Sequence, residues 1–231
     1  MRILVLAAAL SPIFYSCMCT AAGVQVGRTR IIFDANKKEV ALALTNTDEQ
    51  LPWLIQSWTD IGDEKTRGPF IVTPPLFRLD GKKEQSLRIT WNGTPLPEDK
   101  ESLFYMNVRT IPATAKEDES KNVLRLIYKT RIKLFWRPKK ISGTPTESCA
   151  KLQFTRSGNV LKVTNKNAFY AVFDSLHLGA VALKQADMVA PFSDASFPLN
   201  AQPSTNQVTW RCISDYGSPS QQYSAPLNQR G

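Results

Sequence analysis

Residues Leu124 to Trp136 read LRLIYKTRIKLFW, and apolar and cationic side chains alternate along most of this stretch. In an extended chain, successive side chains point to opposite faces. One face then carries Leu124, Leu126, Tyr128, Thr130 and Ile132. The other face carries Arg125, Ile127, Lys129, Arg131 and Lys133. The alternation therefore predicts a β-strand with an apolar face and a largely cationic face.

Short stretches with the same period recur elsewhere in the chain. Val40, Leu42 and Leu44 alternate with alanine residues. The dipeptides Asp80-Gly81 and Asn92-Gly93 supply turn residues that tolerate positive φ. Many short strands separated by such turns indicate an all-β sandwich or barrel.

Prolines punctuate the chain at two places. Because proline cannot donate to a sheet ladder, Thr73-Pro74-Pro75 is expected at a sheet edge or at a strand crossing, with a cis bond as an option. The polar stretch from Pro138 to Thr146 contains two prolines and a glycine, and we expect the domain boundary there. The predicted domains span residues 23–138 and 139–231, each about the size of one immunoglobulin-like domain of ~100 residues.

The first 22 residues have the pattern of a secretory signal peptide. Arg2 precedes an apolar run, and small residues follow it up to Ala22, so cleavage is expected near Ala22/Gly23. The run is too short to cross a bilayer, which needs about 20 helical residues, so no membrane insertion is expected. Cys17 and Cys19 would leave with the peptide. We therefore expect the protein to be exported.

The charge of the chain is strongly basic, with 29 Lys and Arg against 20 Asp and Glu. Nucleic acid, a membrane surface or an acidic protein could each be a partner of such a chain. Export and the lack of any nucleic-acid motif make nucleic acid the least favoured partner.

The remaining cysteines are Cys149 and Cys212. In an oxidising compartment an isolated pair is expected to be bridged rather than free. With His177 as the single histidine, a closed tetrahedral metal site is not expected. His177 lies in an alternating run typical of a strand and has no companion for nucleophilic catalysis. The sequence also lacks the common hydrolase, P-loop and dinucleotide motifs, so we predict a protein that is not an enzyme.

The strand predicted from Leu124 to Lys133 is longer than most strands, which have about 5–6 residues. An ordinary sandwich strand with a solvated basic face would explain the alternation alone. A long strand at a domain edge would instead offer its N–H and C=O groups to another chain, and its alternating cations would discourage self-pairing.

Several motifs occur along the chain in a characteristic order: Thr29-Arg30, Val72-Thr73-Pro74-Pro75-Leu76-Phe77-Arg78, Glu101-Ser102-Leu103-Phe104-Tyr105-Met106-Asn107-Val108, Arg131-Ile132-Lys133-Leu134-Phe135-Trp136-Arg137-Pro138 and Ser214-Asp215-Tyr216-Gly217. Together they resemble the periplasmic chaperones of chaperone–usher pilus assembly, the PapD-like family. The resemblance spans nearly the whole predicted mature chain. It implies an all-β protein with two immunoglobulin-like β-sandwich domains in a boomerang arrangement and a cleft between them.

The resemblance also implies the partners and the mechanism. The partners are pilus subunits with an incomplete immunoglobulin-like fold and an outer-membrane usher, and no cofactor is implied. The chaperone would cap and fold each subunit in the periplasm by donor-strand complementation. Arg30 and Lys133 are implied to hold the C-terminal carboxylate of the subunit, a task that suits a guanidinium fork and an ammonium.

Two further sets of residues follow from the resemblance. The side chains implied to fill the groove of the subunit are Leu124, Leu126 and Tyr128. The charge network implied to bridge the two domains consists of Glu101, Arg137 and Asp215.

Proteins of other classes are the alternatives. A structural or adhesive β-sandwich, such as a pilus subunit, would need an N-terminal donor extension, and Gly23-Val24-Gln25-Val26-Gly27 is too short for one. A secreted hydrolase would show turnover that is lost in His177→Ala. A basic nucleic-acid binder would show steep salt dependence.

Overall fold

The described residues of the first half of the chain form nine strands that pair into two sheets. The computed structural model describes residues 23–113, 124, 126–203 and 205–227, so the predicted signal peptide lies outside the described residues. The strands are β1 (Val24–Val26), β2 (Arg30–Asp34), β3 (Glu39–Asn46), β4 (Trp53–Asp60), β5 (Phe70–Thr73), β6 (Leu76–Leu79), β7 (Glu84–Trp91), β8 (Ser102–Pro112) and β9 (Tyr128–Arg137). One sheet has the order β1-β3-β7-β5, and the other has the order β2-β9-β8-β4-β6.

The second half forms a short helix and a second pair of sheets. Its elements are α1 (Pro145–Ala150), β10 (Gln153–Ser157), β11 (Val160–Asn165), β12 (Ala171–Leu178), β13 (Val181–Ala182), β14 (Met188–Val189), β15 (Ser193–Pro198), β16 (Gln207–Cys212) and β17 (Tyr223–Pro226). One sheet has the order β10-β11-β15. The other has the order β13-β12-β16-β17, with β14 also paired to β12.

Each pair of sheets encloses its own apolar core. The alternation noted in the sequence appears as burial: Val40, Leu42 and Leu44 of β3 point inward, and the residues between them are less buried. One core cluster draws on residues between Ile31 and Trp136, and the other on residues between Cys149 and Leu227. Two separate cores confirm the predicted architecture of two β-sandwiches.

The prediction that this strand starts at Leu124 is wrong, because β9 starts at Tyr128 and continues to Arg137. β9 pairs antiparallel with β8, and Tyr128 lies opposite Thr110. If the register continued, Leu126 would lie opposite Pro112, which has no N–H to donate. The proline therefore gives a physical reason for the ladder to stop where it does.

Only part of the strand lies at a sheet edge. β2 runs parallel to β9 and pairs with it from Lys133 to Arg137, so this part of β9 lies inside the sheet. Edge character is confined to residues 128–132.

The prediction for Thr73-Pro74-Pro75 is confirmed. The Thr73-Pro74 peptide bond is cis. The prolines connect β5, at the edge of one sheet, with β6, at the edge of the other. They thus mark a crossing between the two sheets of the first sandwich, where no ladder hydrogen bond is lost.

A disulfide joins Cys149 of α1 to Cys212 of β16, with the two Cα atoms 6.3 Å apart. It lies in the second core, where the indole N–H of Trp210 donates a hydrogen bond of 3.0 Å to the Cys149 carbonyl. The bridge therefore fastens the short helix to a central strand of the second domain.

Candidate functional site

One edge of β9 is open along part of its length. From Tyr128 to Ile132, β9 has β8 as its ladder partner, and no second strand flanks it among the described residues. From Lys133 onward, β2 pairs with the other side of β9. A row of backbone N–H and C=O groups is thus available to another strand along residues 128–132 and is closed at Lys133.

Arg30 and Lys133 stand side by side at the point where the open edge ends. They are direct partners in the parallel register of β2 and β9. Neighbouring strands lie about 4.8 Å apart, so the two side chains leave the sheet on the same face at close spacing. The structure thus brings together the two cations that the sequence singled out.

Arg30 is a buried cation with unused donors. Its surface is 9% exposed, and its Nη1 donates a hydrogen bond of 3.2 Å to the Ile213 carbonyl of the second domain. Nε is buried and has no hydrogen-bond partner within the described part of the chain. Burial lowers the pKa of Arg30, and nearby carboxylates oppose that effect: Asp215, Asp187 and Glu101. Because arginine stays protonated, the site retains a positive charge suited to an anion.

Lys133 is held by a carboxylate of the second domain. Its Nζ donates to Asp187 Oδ1 at 2.7 Å. Asp187 directly precedes β14 in the chain. No motif marks this aspartate in the sequence, because it approaches Lys133 only through the packing of the two domains.

The two cations that precede Lys133 on the same face of β9 are paired within the first domain. Lys129 forms an ion pair with Glu64. Arg131 Nη2 lies 2.8 Å from Asp60 Oδ1, and the guanidinium carbon lies 3.5 Å from the centre of the Tyr105 ring. The cationic face is therefore neutralised locally along the open edge, and the Arg30 guanidinium makes no ion pair with the described residues.

Asp60, the buried partner of Arg131, accepts several hydrogen bonds. Its Oδ2 accepts a hydrogen bond of 2.6 Å from Asn107, and its Oδ1 accepts one of 2.7 Å from the Gly62 amide. Burial raises the pKa of Asp60, but hydrogen bonds from Arg131, Asn107 and Gly62 outweigh it, so the pKa lies below its ordinary value. Asp60 therefore stays ionised and fixes Arg131 against the sheet.

The charge network predicted from the sequence is present as a connected set of contacts. Arg137 binds Asp215 through two hydrogen bonds of 2.7 and 2.8 Å, and its Nε donates to Glu101 Oε1 at 2.8 Å. The other oxygen of Glu101 accepts a hydrogen bond of 2.9 Å from the Tyr170 amide. Burial raises the pKa of Glu101, and the charge of Arg137 opposes it. Arg137 and Glu101 belong to the first sandwich, and Asp215 and Tyr170 to the second, so the network joins the domains.

Apolar contacts surround this network, and no motif in the sequence predicts them. The Phe135 and Tyr170 rings lie 5.5 Å apart, centroid to centroid. The Arg137 guanidinium lies 5.2 Å from the centre of the Phe169 ring. Phe135 and Phe169 are buried but belong to neither core cluster, because they lie between the two sandwiches. Paired aromatics beside bidentate charges indicate an interface with a defined geometry.

The three apolar side chains expected to enter a partner are exposed. Leu124 is 84% exposed, Leu126 is 53% exposed and Tyr128 is 55% exposed. Leu124 and Leu126 precede β9 rather than belonging to it. All three therefore present apolar surface at or before the start of the open edge.

The described residues show neither a metal-binding cluster nor a membrane-spanning helix. No group of three or more His, Cys, Asp or Glu side chains could hold a metal ion in that part of the chain. Within the same ranges, no helix is long and apolar enough to cross a bilayer.

Comparison with known families identifies the class of protein. Residues 23–142 match the family described as "Pili and flagellar-assembly chaperone, PapD N-terminal domain", and residues 147–224 match "Pili assembly chaperone PapD, C-terminal domain". The chain belongs to this family of pili assembly chaperones.

Individual proteins agree with this assignment. The chaperone protein FimC of Escherichia coli O6:H1 is 43% identical over 198 residues, which cover 85% of this chain and 81% of FimC. The complex of the Salmonella enterica SafA pilin with the SafB chaperone contains a chain that matches with a TM-score of 0.83 and 30% identity, covering 90% of this chain and 98% of that one. The E. coli chaperone DraB matches with a TM-score of 0.80 and 36% identity, covering 90% and 97%.

Proposed function

We propose that this chaperone binds an incomplete pilus subunit along the open edge of β9 and holds the C-terminal carboxylate of the subunit between Arg30 and Lys133. The observation that carries the proposal is the position of these cations, which stand where the open edge meets β2. A strand added to that edge would gain main-chain hydrogen bonds along residues 128–132, and its terminal carboxylate would meet two positive charges.

The geometry favours one direction for the added strand. If its carboxyl end lies at Lys133 and its body extends back toward Tyr128, the added strand runs in the same direction as β9. It would then lie in line with β2, which is itself parallel to β9 and begins at Arg30. Strand addition is the established mode of chaperone–pilin complexes, and the SafA–SafB complex is such a pair.

Apolar contacts would add to the charged anchor. Leu124, Leu126 and Tyr128 would enter an apolar groove of the subunit, where each buried side chain stabilises the complex by about 1.5–3 kcal/mol. The anchor would fix the register of the added strand, because a shift of one residue would turn every side chain to the opposite face. Groove filling and anchoring would therefore depend on each other.

Further parts of the proposal concern location and chemistry. We propose that residues 1–22 direct export to the periplasm, that the domains divide at residue 138, and that the protein delivers its subunit to an outer-membrane usher by binding alone, without catalysis. The disulfide between Cys149 and Cys212 supports an oxidising location. β9 ends at Arg137 and α1 begins at Pro145, which supports the division. Mass spectrometry of periplasmic protein should find Gly23 at the N-terminus.

The anchor is tested by removing one cation at a time. Arg30→Ala and Lys133→Ala should each leave a folded protein that no longer co-purifies with a co-expressed pilus subunit from periplasmic extracts. Circular dichroism melting would establish that both variants fold.

Matched control variants separate the anchor from general charge. Lys129→Ala removes a cation from the same face of β9, and Arg28→Ala removes an exposed cation next to the start of β2. Both controls should capture subunits as the unsubstituted protein does. Normal recovery of subunit complexes with Arg30→Ala or Lys133→Ala would refute the anchor.

A further inference from the structure

Lys133 forms an ion pair with a carboxylate of its own chain. Its Nζ lies 2.7 Å from Asp187 Oδ1, and the ion pair spans the two domains. The Lys133 side chain is 21% exposed and that of Asp187 is 60% exposed, so solvent and other molecules reach the acid more easily than the base. Under the proposed function, a subunit carboxylate approaching Lys133 therefore meets another carboxylate first.

The backbone of Asp187 is fixed by the second domain. Its carbonyl accepts a hydrogen bond of 2.8 Å from the Phe173 amide on β12, and the next residue begins β14. The negative charge of Asp187 also opposes the lowering of the Arg30 pKa by burial, so its field reaches both cations of the anchor. The acid is thus held near the pair by the fold rather than by a chance surface contact.

We propose that Asp187 is an internal competitor for the anchor: it pairs with the Lys133 ammonium within the chain, and the C-terminal carboxylate of the subunit displaces it on binding. The inference rests on the proposed function. Two carboxylates close to one ammonium repel each other, so the fully ionised site favours one occupant at a time. Asp187 would thereby protect the empty anchor and lower the affinity for the subunit, which eases its later release.

The expected effect is modest because the competing pair is partly exposed. Ion pairs of this kind contribute little, and removal of the competing charge should tighten binding by about two- to fivefold. Asp187→Asn keeps the size of the side chain and removes its charge. Asp174→Asn is the matched control, because it removes an exposed charge from β12 of the same domain.

The probe is an acetylated peptide of alternating valine and threonine with a free C-terminal carboxylate, compared with the same peptide ending in an amide. Isothermal titration calorimetry on the mature protein should give a lower dissociation constant for the carboxylate peptide in Asp187→Asn. Asp174→Asn should match the unsubstituted protein, and the amide peptide should bind both equally. Asp187→Ala serves as a second variant, and thermal unfolding shows that each variant is folded.

The possible outcomes separate this inference from the proposed function. Unchanged or weaker binding of the carboxylate peptide by Asp187→Asn would overturn the inference, and weaker binding would make Asp187 a positioning residue for Lys133. A gain that persists in the double variant Lys133→Ala, Asp187→Asn would also overturn it, because the competition acts through Lys133. If the unsubstituted protein binds the carboxylate and amide peptides equally, the anchor itself fails, and the inference fails with it.

Discussion

The two halves of β9 differ although they belong to one continuous strand. The outer half, residues 128–132, has a ladder partner on one side and exposes Tyr128, Lys129 and Thr130. The inner half, residues 133–137, buries Leu134, Phe135 and Trp136, and β2 flanks it along its whole length. A single strand therefore serves as core at one end and as an open edge at the other.

This division explains how an exposed edge can have a defined geometry. The inner half is fixed by the first core and by the second domain, so the position of Lys133 does not depend on a partner. The outer half then extends from a rigid base, and ion pairs with Glu64 and Asp60 hold its cations within the first domain. The inner half is expected to supply stability and the Lys133 anchor, and the outer half is expected to supply the edge for strand addition.

Of the substitutions in the inner half, Arg137→Ala should lower the free energy of unfolding most. It leaves Glu101, which is 3% exposed, as a buried carboxylate without its cation, and its pKa is already raised by burial. Removing one partner of a buried ion pair costs about 3–5 kcal/mol. Urea unfolding followed by tryptophan fluorescence should show this loss. Arg137→Lys, which keeps the charge but not the two-pronged contact with Asp215, should lose less. A loss below about 1 kcal/mol in Arg137→Ala would place the network among surface ion pairs.

Leu134→Ala should have the next largest effect. Leu134 is fully buried in the first core, and truncation of such a leucine leaves a cavity that costs about 3 kcal/mol. The same unfolding experiment measures the change. Thr130→Ala, on the same face of β9 but in the outer half, is the control and should change stability by less than about 0.5 kcal/mol. Equal losses in the two variants would contradict the division of the strand.

The fold was largely predictable from the sequence, and the error in β9 has a local cause. Alternation predicted an extended segment, but it could not reveal that Pro112 of β8 would lie opposite Leu126. The residues that lie opposite a strand belong to segments far away in the sequence. The alternation within one segment therefore does not reveal which residues it will pair with. For the same reason, the sequence did not reveal that β2 pairs with β9. This parallel pairing places the inner half inside the sheet.

The site was predictable only where ordered motifs marked it. Arg30, Lys133 and the Glu101 network stand in such motifs. The structure makes Arg30 and Lys133 neighbours in the β2–β9 register and joins the network by ion pairs. Asp187 and Phe169 stand in none. Their contacts arise where the two domains pack against each other. The periodicity of the sequence within one segment does not predict which surfaces of the domains meet.

Asp60→Asn should weaken the link between the outer half and the rest of the sheet. The folded-state pKa of Asp60 is lowered, so its contribution is present above the unfolded pKa of about 3.9 and is lost as the pH falls through the folded pKa. In that range the unfolded chain binds more protons, and the free energy of unfolding falls with falling pH. Loss of hydrogen bonds between Asp60 and Arg131 should cost about 1.5–3 kcal/mol at pH 7.

The test of Asp60 is the pH dependence rather than the loss alone. Urea unfolding between pH 2.5 and pH 7 should give a shallower acid decline in Asp60→Asn than in the unsubstituted protein. Asp34→Asn, which replaces an aspartate at the end of β2, is the control for the loss of one carboxylate elsewhere in the first domain. Parallel declines in all three proteins would show that Asp60 is not linked to acid unfolding.

Tyr128→Ala should have the smallest effect on stability and a large effect on binding. Its side chain is 55% exposed, so the free energy of unfolding should change by less than about 0.5 kcal/mol. If the ring enters the groove of a subunit, its loss should weaken capture by about ten- to a hundredfold, because burial of such a side chain is worth about 1.5–3 kcal/mol.

Ile71→Ala is the matched control for Tyr128, because Ile71 is 56% exposed but lies on β5, in the other sheet of the first domain. Both variants should unfold like the unsubstituted protein, and only Tyr128→Ala should lose subunits in co-purification. If Tyr128→Ala is instead as unstable as Leu134→Ala, the outer half belongs to the core. If it captures subunits normally, binding relies on the main chain and the anchor, and the apolar side chains before Lys133 have no role in holding the partner.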